Sequence, residues 1–159
     1  MGARIMEVRC LIDVSFTEFL SGHIGSINLG DSVSAVEWTL GLPDDYGGIS
    51  RKYKWPCIWK YGDFEFHFDK KKRELVLLYI DFEGESVKNG GSHFMVMPWN
   101  MHVDMSIDDV YKVLEEFRLD CIEEKNEIIG TRIIKTLNSE FVFEEVDGMM
   151  KLYNIAVKK

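Results

Sequence analysis

Cysteine, proline, cationic charge and long apolar runs are all in short supply in this chain. Its three cysteines, Cys10, Cys57 and Cys121, are odd in number and far apart, which offers neither a disulfide framework nor the C-x-x-C spacing of a metal or redox site. A reducing, cytoplasmic setting is the simpler expectation. No apolar run approaches the ~20 residues needed to cross a bilayer. The apolar stretch at Leu11 and Ile12 is interrupted by Asp13, so a secretory leader is not expected. Met6 stands where a myristoylated Gly2 would call for Ser or Thr. Lysine and arginine number 19 against 27 aspartates and glutamates, a net charge of −8. That balance repels phosphate backbones and anionic bilayers, so neither nucleic acid nor membrane is an expected partner. A basic protein would instead be steered toward the surface. Solubility alone is the other reading of the same number.

Catalytic signatures are equally sparse. The sequence contains no G-x-S-x-G, H-E-x-x-H, P-loop or G-x-G-x-x-G, and Gly47-Gly48 and Gly90-Gly91 lack the strand and helix context those motifs require. The paired acids, such as Asp44-Asp45 and Glu144-Glu145, are adjacent in sequence, point apart in a regular element and read as surface charge. Two H-x-D pairs, His67 with Asp69 and His102 with Asp104, put both side chains on one side of an extended segment, which allows a metal or a general base. Nothing supplies a third and fourth ligand, so polar surface residues are the expectation there. His23 and His93 sit among glycines and read as loop residues. The chain is therefore expected to be no enzyme and to need no cofactor or metal.

What the chain has in plenty is apolar and aromatic surface: 46% and 13% of its 159 residues, enough to bury a core. Ser15 can cap a short helix carrying Phe16, Phe19 and Leu20, with Gly22 as its stop. Asp31 or Ser32 can cap a second helix whose stripe is Val33, Val36 and Leu40, ended by Gly41 and Pro43. The period then changes to two. Phe64, Phe66 and Phe68 alternate with Glu65, His67 and Asp69, so residues 56–60, 64–69 and 74–82 are expected as a three-strand meander. Residues 75–80 are apolar on both faces, as in a strand covered on both sides or covered by a partner. Residues 85–92 read as a flexible connection, and the Met-rich 94–101 as a strand joining two sheets.

The pattern then begins again. Ser106 and Asp109 form a capping box before Ile107, Val110, Val113, Leu114 and Phe117, and strands are expected at 119–123, 127–137, 140–146 and 149–157, with turns at Asn138-Ser139 and Asp147-Gly148. Ser32, Val36 and Leu40 align with Ser106, Val110 and Leu114; Phe64 and Phe66 with Phe141 and Phe143; Leu75, Leu78 and Ile80 with Leu152, Ile155 and Val157. The expected class is α+β, as two tandem units of short helices on an antiparallel meander: residues 1–84, a connecting segment 85–101, and residues 102–159.

The helix running from Leu29-Gly30-Asp31-Ser32 through Val36 to Leu40-Gly41-Leu42-Pro43 resembles that of the SmpA/OmlA outer-membrane lipoproteins, and the tandem arrangement resembles the β-lactamase inhibitor protein fold. The resemblance implies helices on one face of an antiparallel sheet whose other face grips an enzyme. The chain lacks a lipobox, which argues against an envelope role. Phe19-Leu20, the segment Leu29 to Asp45, and Trp59-Lys60-Tyr61-Gly62-Asp63-Phe64-Glu65-Phe66-His67-Phe68 are similar to small bacterial proteins that include toxin-immunity members. What this implies is a protein partner, a cognate toxin; the acidic balance of the chain suits a basic, nuclease-type one.

The expected binding face is the open side of the first sheet. Glu65, His67 and Asp69 project from it, flanked by Trp59 and Tyr61, since Trp and Tyr combine large burial with a hydrogen-bonding edge. The alternatives are a small enzyme or ligand-binding protein with a pocket between sheet and helices, and a homodimerising module in which a second copy covers the doubly apolar strand.

Overall fold

The side chains at the helix ends fix where each helix starts and stops. The structure, a computed structural model, describes residues 11–83 and 89–159. Ser15 accepts the Glu18 N–H at 3.1 Å and opens α1 (Phe16–Leu20), directly after strand β1 (Ile12–Ser15). A two-residue hairpin, β2 (His23–Ile24) and β3 (Ile27–Asn28), leads to α2 (Val33–Leu40), where Ser32 Oγ accepts the Ala35 N–H at 3.2 Å. Gly41 ends α2 at a φ of 78°, a conformation that only glycine adopts without strain.

Four strands follow as β4 (Asp45–Gly47), β5 (Ile58–Tyr61), β6 (Phe64–Phe68) and β7 (Leu75–Asp81). The chain then passes through β8 (Phe94–Met97) to α3 (Ile107–Glu116), which is opened by the reciprocal Ser106–Asp109 box. Four more strands complete it: β9 (Ile122–Asn126), β10 (Thr131–Thr136), β11 (Ser139–Val146) and β12 (Met149–Val157).

The main sheet is antiparallel and eight-stranded, in the order β4-β5-β6-β7-β12-β11-β10-β9. Each run of four is a meander, and the two meanders meet through their fourth strands, β7 and β12. In each, the last hairpin carries one extra residue: Val76 on β7, where His67 opposes Leu77 and Phe68 opposes Leu75, and Tyr153 on β12, where Val142 opposes Asn154 and Phe143 opposes Leu152. A bulge of this kind bends the strand and sharpens its twist.

Buried residues of both halves form one hydrophobic cluster. Phe16, Phe19 and Leu20 of α1, Val36 and Leu40 of α2, and Val110 and Leu114 of α3 pack with Phe64, Phe66, Leu78, Ile80, Phe141, Ile134 and Ile155 of the sheet. The fold is thus mixed, with few short helices on a large antiparallel sheet.

Three expectations change. Residues 94–101 do not join two sheets: β8 pairs in parallel with β1, as a small separate ribbon, because β7 and β12 already join the meanders directly. The stretch 127–137 is not one strand, since Gly130, at a φ of 67°, turns the chain between β9 and β10. The second-half turn falls on Leu137-Asn138, leaving Ser139 in β11, where its hydroxyl donates to the Thr136 carbonyl at 2.6 Å.

Candidate functional site

Strand parity divides the sheet into two unlike faces. On the helix-covered face lie Trp59, Tyr61, Phe64, Phe66, Phe68, Leu78, Ile80, Ile134, Phe141, Phe143, Leu152, Ile155 and Val157, all buried. On the other face one register row crosses all eight strands: Asp45, Lys60, Glu65, Tyr79, Ala156, Glu140, Lys135 and Ile122. Beside it run Ile58, His67 and Leu77, and then Asp81, Asn154, Val142, Ile133 and Glu124. None of Ile58, Leu77, Tyr79, Ile133 and Val142 belongs to the core or packs against it. Among the described residues no helix covers this face.

Two of the five expected site residues stand on the open face. Glu65 Oε1 lies 3.5 Å from His67 Nε2, an ion-pair distance without hydrogen-bond geometry. Trp59 and Tyr61 do not flank them. Trp59 opposes Phe66 and Tyr61 opposes Phe64, so both aromatic rings point into the core, 5% and 0% exposed, and it is Lys60 that shares the face with Glu65. Tyr61 is packed against Phe66 and donates its hydroxyl proton to the Gly41 carbonyl at 2.7 Å, and burial raises its pKa. Trp59 donates to the Pro56 carbonyl at 3.1 Å.

Asp69 also leaves the face. It lies beyond the end of β6, where its carboxylate accepts the N–H groups of Lys72 at 2.7 Å and Lys71 at 3.0 Å. Those two bonds hold its pKa below the usual carboxylate value. The H-x-D pairing of His67 with Asp69 is therefore broken by the hairpin. His102 and Asp104 also separate: the His102 ring meets the Val103 carbonyl at 2.8 Å, and Asp104 reaches Lys151 at 3.3 Å. Among the described residues no group of three His, Cys, Asp or Glu is placed to hold a metal ion.

The two halves of the open face differ in charge pairing. In the second, Lys135 bridges Glu124 at 3.0 Å and Glu140 at 3.8 Å, and Lys158 reaches Glu140 at 3.5 Å. In the first, among the described residues, Glu65 has only His67 as an ion-pair partner. Tyr79 stands opposite Glu65, with its ring against His67, and partial burial, then Asp81, push its pKa up to about 12. It is a neutral phenol at the centre of the sheet.

Three residues matter more than the sequence reading allowed. Tyr79 was legible from parity, since it alternates with the buried Leu78 and Ile80. Trp38 is 91% exposed on α2 beside Leu42, and the two line a shallow depression with Ser34, Glu37 and Gly41. Its signal was a tryptophan lying off the Val33, Val36, Leu40 stripe, on the solvent side of the helix. His93 is no ordinary loop residue. Nδ1 lies 2.9 Å from the Leu40 carbonyl and Nε2 lies 2.9 Å from Asp44 Oδ1. Asp44 Oδ2 accepts the Gly62 N–H at 2.7 Å, a bond that, with His93, keeps the Asp44 pKa low. The segment after β7 is thereby fastened to the end of α2, a contact between residues 49 to 53 apart that no local pattern announces.

No family model and no curated protein matches this chain. A solved structure to which it is similar is the 1.5 Å crystal structure of an extracellular protein containing an SCP domain from Bacillus anthracis, at 14% identity and a TM-score of 0.42, with 82% of this chain and 44% of that one covered. The chain spans less than half the length of that protein.

Proposed function

We propose that this is a binding or inhibitory protein of the toxin-immunity kind, which acts in the cytoplasm and holds a basic protein partner, such as a nuclease-type toxin, on the open face of its sheet. The observation that carries the reading is the uncovered face itself. Leu77, Tyr79 and Val142 are half-exposed on the inner strands of an eight-stranded sheet, with Ile58 and Ile133 toward its two sides, all outside the core, and Glu65, Asp81 and Asp45 stand on the same face with Lys60 and Lys135. An apolar and tyrosyl patch with a charged surround in which acids outnumber lysines is the chemistry of a protein interface. Resemblance of residues 19–68 to immunity-type proteins supplies the biological class.

The face is a product of tandem duplication. Both halves run helix, then four-strand meander, in the same order, and the bulges fall at Val76 and Tyr153, one residue after the aligned Leu75 and Leu152. Pairing through those bulges equates Phe66 and Phe68 with Phe141 and Phe143, two residues along from the sequence alignment, and it sets Lys60 and Glu65 beside Lys135 and Glu140.

The experiment is co-purification with the product of the adjacent gene, followed by binding kinetics. Glu65→Lys should slow association and weaken its salt dependence, because charge at an interface edge acts mainly on encounter. Tyr79→Ala should instead raise the dissociation rate by ~30-fold, as for a buried anchor worth ~2 kcal/mol. Folded variants with wild-type rates in both respects would put the binding surface elsewhere.

A further inference from the structure

The two ends of the main sheet carry opposite charge at diagonally opposed corners. At one corner the β4–β5 loop and the β6–β7 hairpin bring together Arg51, Lys52, Lys54, Lys70, Lys71, Lys72 and Arg73; with Asp69 and Glu74 the segments 48–57 and 69–74 carry 7 − 2 = +5. Among the described residues none of these cations is ion-paired. Lys52 and Lys70 lie over the Tyr53 ring at 5.4 and 5.8 Å, and Arg73 lies over Trp55 at 4.7 Å. Aromatic rings hold these charges without neutralising them.

The other corner is formed by the β9–β10 and β11–β12 hairpins. Glu127, Glu144, Glu145 and Asp147 give the segments 127–130 and 144–149 a charge of −4 with no cation. None of the four is ion-paired among the described residues, and Ile128, Ile129, Val146 and Met149 are exposed between them. Because β7 and β12 are antiparallel, the two corners sit at opposite ends of the strands and on opposite sides of the sheet, out of each other's reach.

We propose that, in the absence of the partner proposed above, a second copy of this chain covers the open face in its place, with the acidic corner of each copy on the basic corner of the other. A two-fold axis parallel to the sheet and just outside its open face, perpendicular to the line joining the corners, turns one open face onto the other and makes the acid-on-base contact twice in a single closed dimer. The same rotation buries Leu77, Tyr79, Val142 and Ile133 between the copies. The net charge of −8 opposes approach at long range, but at about 0.15 M salt charges further apart than ~8 Å are screened while contacts at a few ångströms persist. Self-association is therefore strongest at intermediate salt.

Sedimentation of the full chain tests this, over concentrations from about 10 to 500 µM at about 0.15 M salt. The expected result is a reversible dimer, at least ~10-fold weaker near 1 M salt. Reversing one corner (Lys70→Glu/Lys71→Glu/Lys72→Glu) gives a copy acidic at both corners; reversing the other (Glu127→Lys/Glu145→Lys, with Asp147→Asn) gives one basic at both. Each alone should be monomeric, at least ~10-fold weaker in self-association, and their equimolar mixture should dimerise again. Tyr79→Asp should weaken the wild-type dimer by a similar factor, since the face itself is covered. These sites are exposed or half-exposed, and unchanged far-UV circular dichroism verifies the fold. A wild-type chain monomeric to 500 µM, a mixture that stays monomeric, growth beyond two copies, or a Tyr79→Asp dimer of wild-type affinity would each overturn the proposal.

Discussion

In the first meander Phe66 stands opposite Leu78 and Phe68 opposite Leu75; in the second, Phe141 stands opposite Ile155 and Phe143 opposite Leu152. The inward residues of the two halves are thus interchangeable in kind, and all are buried in one cluster. The outward ones are not. Leu77 and Tyr79 in β7 correspond to Asn154 and Ala156 in β12, and the hairpin Lys70 to Arg73 corresponds to one built on Asp147 and Gly148. Burial constrains the inner face to large apolar side chains, since any change of volume there is felt by a close-packed core. Solvent-facing positions and hairpin tips carry no such constraint, and there the two meanders differ in charge.

The largest expected effect checks whether the halves are one cooperative unit. Phe66→Ala and Phe143→Ala should each lower stability by ~3–5 kcal/mol, the usual result of deleting a fully buried ring. All four tryptophans lie between positions 38 and 99, so fluorescence reports on the first half and the connection, whereas far-UV circular dichroism reports on both. In urea the two signals should move together for either variant. Separate transitions would break the comparison by making the halves independent.

Smaller effects distinguish the two long helices. Ser106→Ala removes one arm of a reciprocal box and should reduce stability by ~1–2 kcal/mol; Ser32→Ala removes a single 3.2 Å bond and should reduce it by ~0.5–1 kcal/mol. Urea midpoints measure both. Acid should then act on both halves alike. Asp44 is held low by the Gly62 N–H, Asp69 by those of Lys72 and Lys71, Asp109 by that of Ser106, and Glu123 by the Tyr111 hydroxyl and then Arg132. A carboxyl whose pKa is lower in the folded chain than in the unfolded one stabilises fully above the ordinary carboxylate range and loses that contribution as pH falls through its folded value. Stability should therefore be level near neutrality and decline below about pH 4, with a shallower decline in Asp69→Asn and Asp109→Asn. The smallest effect is at Trp38, and Trp59 is its control. Trp38→Ala should change stability by no more than ~0.5 kcal/mol, being almost wholly exposed, while Trp59→Ala, from the opposite register, should behave like the phenylalanine variants.

How legible each element was depended on how local its cause is. The caps at Ser15, Ser32 and Ser106 and the stripes behind them lie within one turn of helix, and α1, α2 and α3 stand where those signals put them. Alternation marked β6, a continuous apolar run marked β7, and the hairpin turns marked β11 and β12, all of them local signals too. The short strands β1 to β4 have no alternation long enough to read: β1 is held by β8, some 82 positions along, and β2 and β3, which pair with each other, are two residues each. Trp59 and Tyr61 were misplaced by a question of phase. Each strand's own pattern is ambiguous when apolar residues fall on both parities, and only the two-residue turn at Gly62-Asp63 fixes Trp59 opposite Phe66. Asp69 was counted into β6 by alternation alone, but its side chain competes for backbone N–H groups and closes the turn instead.

The position of β12 has a consequence for how the chain is made. It comes after the other seven strands of the sheet in sequence yet lies at the sheet's centre, between β7 and β11. During synthesis β7 therefore waits with one backbone edge unpaired while some seventy further residues are added, and that edge presents Leu77 and Tyr79 on one side and Leu78 and Ile80 on the other. An apolar strand edge of this kind is a template for pairing with the wrong chain, and long-range pairings form slowly. On the ribosome, the growing chain is most exposed to misassembly in the interval before β12 emerges.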